Sequence, residues 1–147
     1  MSDATTSSSS RRKKEPKPRI LCVDDEEFIL EGIASNLRKS FKITTAKSGQ
    51  EALDLMENEE TFPIIISDMR MPGMDGAQFL KQARQVSPDS IRILLTGHAD
   101  LEAAISVVNE GKIFRYLTKP CPVKKLKEIL DEAVGQYQKK QVQRNVL

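Results

Sequence analysis

The chain lacks long apolar runs: none exceeds a handful of residues, where a membrane-crossing helix needs roughly twenty. No span and no membrane partner are expected. Its opening, MSDATTSSSSRRKK, has no apolar stretch behind the basic residues, so a cytoplasmic location is expected and a secretory leader is not. Cysteine is scarce. Cys22 sits inside the run ILCV and Cys121 between two prolines, with neither metal-ligand spacing nor a near partner, so both are expected as reduced thiols. A glycine-rich phosphate loop is missing after the first apolar run, where Val23-Asp24-Asp25-Glu26 would repel an anionic cofactor. That counts against a flavin- or nucleotide-binding enzyme.

What is present fits one domain with tails, since 147 residues with 39% hydrophobic and 30% charged side chains can bury a core unaided. The formal net charge of +2 is unevenly spread. Arg11, Arg12, Lys13, Lys14, Lys17 and Arg19 face only Asp3 and Glu15 in the opening stretch, which leaves the body mildly acidic. The body has no basic stripe, so direct nucleic-acid contact is not expected. Residues 1–18, with a four-serine run and RRKKEPKP, cannot bury apolar area and are expected to be a disordered basic tail.

From Arg19 onward short apolar runs alternate with helix-period segments, five times over, the mark of an α/β fold. The expected strands are Ile20-Val23, Phe41-Thr45, Ile64-Ser67, Ile91-Leu95 and Ile113-Leu117. Four are nearly continuous apolar runs suited to parallel strands covered on both faces; Phe41-Lys42-Ile43-Thr44 alternates, which suits an edge. Helical stripes recur at Ile33/Leu37, Ala52/Leu53/Met56, Phe79/Ala83 and Leu101/Ala104/Ile105/Val108. A fifth helix is expected from Val123, burying Leu126, Leu130, Ala133 and Tyr137. The domain boundary is expected at residues 19–138, with 139–147 as a helix extension or linker. Too few units exist to close an eight-stranded barrel, so an open doubly wound sheet with right-handed crossovers is expected.

Ligands of such sheets bind outside the carboxyl ends of the strands. Those ends hold Asp24-Asp25, Asp68, Thr96-Gly97 and Thr118-Lys119-Pro120. Carboxylates crowded there repel one another unless a cation sits among them, and hard oxygen ligands favour Mg²⁺. Phosphoryl transfer suits this set, because a carboxylate can be the nucleophile while the protein positions groups and neutralises charge. Asp68 is the candidate nucleophile. It precedes Met69-Arg70-Met71-Pro72-Gly73-Met74-Asp75-Gly76, a loop whose proline and glycines leave the carboxylate accessible. Lys119 offers a positive charge to phosphoryl oxygens, and Thr96 offers a hydroxyl.

The segments VDDE (23–26), SDMRMPGMDG (67–76), LLTGHA (94–99) and YLTKP (116–120) together resemble the receiver domain of bacterial response regulators, in order and over Arg19 to about Gln138. The resemblance implies a five-stranded parallel, flavodoxin-like (βα)5 sheet with strand order 2-1-3-4-5. It implies Mg²⁺ held by Asp25 directly, by Asp24 through water, and by Asp68 and the backbone carbonyl of Arg70. Asp68 becomes the phosphoacceptor, Lys119 the phosphate-contacting lysine, Thr96 the switch hydroxyl and Tyr116 the aromatic switch. Arg70 and His98 depart from the commonest choices beside the phosphoryl group, and are expected to modulate its lifetime.

The implied partners are a histidine kinase or phosphotransfer protein. Either an output domain absent from this chain or a stand-alone regulator that acts by binding a partner is expected, the first being favoured, and phosphorylation is expected to reshape the face of the fourth helix, fifth strand and fifth helix, through which a homodimer can form. The Asn109–Tyr116 stretch resembles receivers joined to cyclic-di-nucleotide phosphodiesterase or transcription-activating outputs. The chain reads as a switch in a phosphorelay, not as an enzyme. The alternative is a pseudo-receiver that keeps the fold as an interaction or dimerisation module and carries no phosphate; intact Asp25, Asp68, Thr96 and Lys119 speak against it.

Overall fold

The computed structural model describes residues 16–58, 61–100, 102 and 112–146. In chain order these form β1 (Arg19–Val23), α1 (Glu27–Leu37), β2 (Lys42–Ala46), α2 (Gly49–Asn58), β3 (Ile64–Asp68), α3 (Gly76–Val86), β4 (Ile91–Thr96), a 3-10 turn (His98–Asp100), β5 (Arg115–Thr118) and α4 (Val123–Val146). The strands form one parallel sheet in the order β2-β1-β3-β4-β5. The expected fold is thus the observed one. The stripe Leu101/Ala104/Ile105/Val108 and most of the basic tail lie outside the described residues, and α4 is the helix expected fifth.

Side-chain alternation along the strands builds a core on both faces of the sheet. Leu21 and Val23 of β1 pack with Ala52, Leu53 and Met56 of α2 and with Phe79, Leu80 and Ala83 of α3. Ile20 and Cys22 face the other way, toward Leu30 and Leu37 of α1 and Leu126, Ile129, Leu130 and Ala133 of α4. Each fully buried leucine or isoleucine contributes about 1.5–3 kcal/mol relative to exposure, so the paired stripes fix both the sheet and the helices that cover it. Tyr137 also packs against the second cluster, and α4 then runs on to Val146.

Three strand starts differ from the sequence reading: β1 begins one residue before Ile20, at Arg19, which pairs with Lys42. Phe41 is buried, but its N–H bonds the carbonyl of Leu37 as a helix end does, so β2 begins with Lys42, bonded to Pro18. Ile113 likewise packs into the core ahead of β5, and the ladder pairs Ile93 with Arg115. Arg92 interrupts the apolar run of β4 yet is only 3% exposed. Its guanidinium donates to the carbonyls of Ser90 at 2.9 Å, Pro88 at 3.4 Å and Lys112 at 3.4 Å, which satisfies the buried charge at the amino end of the sheet.

Both cysteines are free. Burial, with the nearby Asp24 charge adding to it, pushes the Cys22 thiol up to about 12. Cys121 is half-buried, and burial raises its thiol too, with Lys125 opposing. Native protein should therefore take one equivalent of a thiol reagent, slowly and at Cys121, and the second only after unfolding. Two rapid equivalents in titration of the native chain would contradict the burial of Cys22.

Candidate functional site

Strands β1, β3, β4 and β5 each deliver a polar residue to the same edge because the parallel ladder is in register there. Asp24 follows β1, and its N–H bonds Ala46 at the end of β2. Asp68 is the last residue of β3, pairing with Leu95 of β4, and Thr96 ends β4 opposite Thr118. The N–H of Lys119 donates to the carbonyl of Thr96 at 2.9 Å, which carries the lysine into the same edge. The Lys119–Pro120 peptide bond is cis.

The side chains of Asp24, Asp25 and Asp68 converge, each offering a carboxylate oxygen within 4.8 Å of the others. Asp24 and Asp68 are buried, whereas Asp25 is exposed. Lys119 Nζ reaches Asp68 Oδ1 at 2.8 Å and Asp24 Oδ2 at 3.3 Å. The other oxygen of Asp24, Oδ1, accepts the N–H of Glu26 at 3.0 Å. Neither aspartate caps α1: its N-cap is Glu26, which makes no side-chain cap bond.

One ammonium among three carboxylates leaves an excess of negative charge in a largely dry pocket. Burial pushes the Asp68 carboxyl up, and Asp24 adds to this; the hydrogen bond and charge of Lys119 oppose it, and the net position is above the ordinary carboxylate range. For Lys119, burial pulls the ammonium down, but hydrogen bonding to Asp68 and the charges of Asp68 and Asp24 outweigh it and hold it above its ordinary value. A set of hard carboxylate oxygens with surplus negative charge fits a hard divalent cation, held by Asp24, Asp25 and Asp68.

The loop after β3 is fixed by its own sequence. Gly73 takes a φ of 77°, and Asp75 caps α3 through a capping box with Gln78, whose N–H donates to Asp75 Oδ1 at 2.9 Å. Gly76 donates its N–H to Met69 at 2.7 Å and lies so close under Asp68 that a Cβ there would overlap the Asp68 carbonyl oxygen. The Asp-x-x-Gln signature before an apolar stripe was available in the sequence; the closeness of Gly76 was not, because it is a tertiary approach.

The remaining candidates are placed less uniformly. Thr96 is fully buried, and its hydroxyl donates to the Gly97 carbonyl at 3.2 Å. Tyr116 stands on the edge strand β5, 43% exposed. Arg70 turns its guanidinium toward Asp100, a partner 30 positions away that sequence reasoning missed. His98 begins the turn after β4, and its side chain lies outside the described residues.

An open parallel sheet with an acidic trio and a lysine at its carboxyl edge defines a flavodoxin-like α/β domain with a cation-attracting site. The chain belongs to the response regulator receiver domain family, which matches residues 20–131. It is 42% identical over 102 residues to the DNA-binding transcriptional regulator NtrC of Klebsiella pneumoniae, a match covering 69% of this chain and 21% of that protein. The chain thus spans only about a fifth of that relative's length. Among solved structures it resembles a crystal structure described as adenylate cyclase from Rhodopirellula baltica, with TM-score 0.85, 39% identity, and 88% and 96% of the two chains covered. A signal receiver domain of an HD domain-containing protein from Pseudomonas fluorescens Pf-5 gives TM-score 0.79 at 35% identity, covering 84% and 98%. Among the described residues no helix is long and apolar enough to cross a membrane.

Proposed function

We propose that this receiver domain carries signals in a two-component phosphorelay by accepting a phosphoryl group on Asp68 from a histidine kinase or phosphotransfer protein. The observation that carries this reading is the buried Asp68 carboxylate held at 2.8 Å by Lys119, with Asp24 and Asp25 gathered beside it. A carboxylate oxygen of Asp68 attacks phosphorus, the bond from phosphorus to the donor breaks, and the donor keeps the electron pair. Lys119 then pairs with phosphoryl oxygens where it now pairs with Asp68. Asp25, Asp68, the Arg70 carbonyl and, through water, Asp24 would hold Mg²⁺, which when bound would neutralise charge on the phosphoryl oxygens. That Asp24 is buried with both oxygens engaged while Asp25 is exposed supports this division of labour.

Thr96 and Tyr116 form the switch: the hydroxyl moves toward the phosphoryl group, and the exposed ring turns inward along β5. The change reshapes the face to which β5 and α4 contribute, and that face contacts partners or a second copy; the helix expected ahead of β5 lies outside the described residues. The receiver spans residues 19–138, and the continuation of α4 to Val146 serves as a linker toward an output module. The domain works as a switch more than as an enzyme. Incubating the protein with acetyl phosphate should add the mass of a single phosphoryl group with Mg²⁺ present and none with excess EDTA, read by intact mass. Absence of an adduct under every phosphodonor would support a pseudo-receiver instead.

A further inference from the structure

Two residues beyond Asp68, Arg70 carries its side chain outward, 77% exposed, into a two-pronged contact. Its Nε donates to Asp100 Oδ2 at 3.2 Å and its Nη2 to Asp100 Oδ1 at 2.6 Å. Asp100 closes the short turn after β4, its own N–H bonded to the Gly97 carbonyl at 3.1 Å, and its side chain is only 20% exposed. The fork therefore ties the loop after Asp68 to the turn after Thr96. Only a guanidinium makes such a fork with a carboxylate.

We infer that Asp100 is a positioning residue: it holds the guanidinium of Arg70 in the resting protein and competes for it with the phosphoryl group on Asp68. The inference rests on the proposed phosphorylation of Asp68. Arg70 lies two residues beyond Asp68 on the same loop, with its side chain largely in solvent, so the guanidinium that Asp100 holds is free to turn toward the acceptor. Phosphorylation replaces one negative charge there by about two, with three strong acceptor oxygens. The pull of the acceptor then rises while that of Asp100 stays constant.

A guanidinium drawn to the phosphoryl oxygens stands in the path of the water that ends the signal. In that hydrolysis the water oxygen bonds to phosphorus, the bond from phosphorus to the Asp68 oxygen breaks, and the carboxylate keeps the electron pair. Asp100 shortens the phosphorylated lifetime by withholding Arg70. Release of Asp100 also frees the turn at the end of β4, which links occupancy of Asp68 to the segment that follows Thr96.

The test phosphorylates the parent, Asp100→Asn, Arg70→Ala and the double variant with acetyl phosphate and Mg²⁺, removes the donor, and follows loss of the adduct by mass. Asp100→Asn should decay roughly fivefold more slowly than the parent, the scale expected of one exposed pair. Arg70→Ala and the double variant should decay at one common rate. Decay of Asp100→Asn at the parent rate or faster, or an equal slowing in the Arg70→Ala background, would overturn the inference while leaving phosphorylation of Asp68 intact. In resting protein without metal or donor, the Arg70 Nε–H resonance should move on Asp100→Asn, and an unmoved resonance overturns it too. A parent that takes no phosphoryl group removes the proposed function itself, and this inference with it.

Discussion

Replacing Gly76 by alanine should destabilise the domain by about 3 kcal/mol, at the upper end of what overpacking usually costs. The added methyl would overlap the carbonyl oxygen of Asp68 and lie 2.8 Å from Met69 Cα. Both obstacles are backbone, so no side-chain rotation relieves them. The chain must move either α3, anchored by the Asp75–Gln78 capping box, or the end of β3, anchored by the Met69 N–H to the Leu95 carbonyl at 2.9 Å. Moving the latter shifts Asp68 away from Lys119. A midpoint lowered by roughly 10 °C in thermal unfolding is the expected result, together with weaker phosphorylation. Gly97→Ala is the control, since its added methyl meets nothing within 4 Å. Equal stability of Gly76→Ala and the parent would mean that this loop is not packed as described.

Asp68→Asn should abolish the phosphoryl adduct completely and leave the fold at least as stable as the parent. The amide keeps the volume of the carboxylate but cannot attack phosphorus as an anion does. Its effect on stability follows from the environment: Asp68 is 6% exposed, and burial followed by Asp24 lifts its carboxyl above the ordinary range despite Lys119. A folded-state pKa above the unfolded one contributes stability at pH below the unfolded value, and that stability is lost as pH rises through the folded value. The ionised group is thus a net cost at neutral pH without metal. In EDTA, the parent should lose this increment with rising pH and Asp68→Asn should not, which paired thermal melts across that range would show. A variant that unfolds, or one that still gains the phosphoryl mass, would contradict this role for Asp68.

The parts of the fold that were legible in the sequence are those with redundant signals. Strands β1, β3 and β4 are apolar runs covered on both faces, and each ends in or is followed directly by a polar residue at the carboxyl edge, so pattern and chemistry agree. The edge strands were shifted because burial and ladder membership part company there. Phe41 and Ile113 are buried without belonging to the ladder, and apolar character alone cannot separate the two. Arg92 inside β4 is tolerated because backbone carbonyls surround it, a condition no local pattern reveals.

For the site, Asp24, Asp25, Asp68 and Lys119 could be gathered from strand ends alone, since the topology of an open parallel sheet brings those positions together. The pairing of Arg70 with Asp100 could not. The two lie 30 positions apart, Arg70 in a loop and Asp100 at the end of a single 3-10 turn, too short for any periodicity to show which way a side chain points. The same holds for Gly76, whose role depends on how closely α3 approaches β3.

The central claim, that Asp68 is the phosphoacceptor, is tested most directly by locating the phosphoryl group. An acyl phosphate is reduced by borohydride to an alcohol, which converts an aspartyl phosphate to homoserine at its own position. After treatment with acetyl phosphate and Mg²⁺, reduction and peptide sequencing by mass spectrometry, homoserine should appear at residue 68 alone. Homoserine at Asp24 or Asp25, or an adduct that reduction leaves unchanged, would contradict the account.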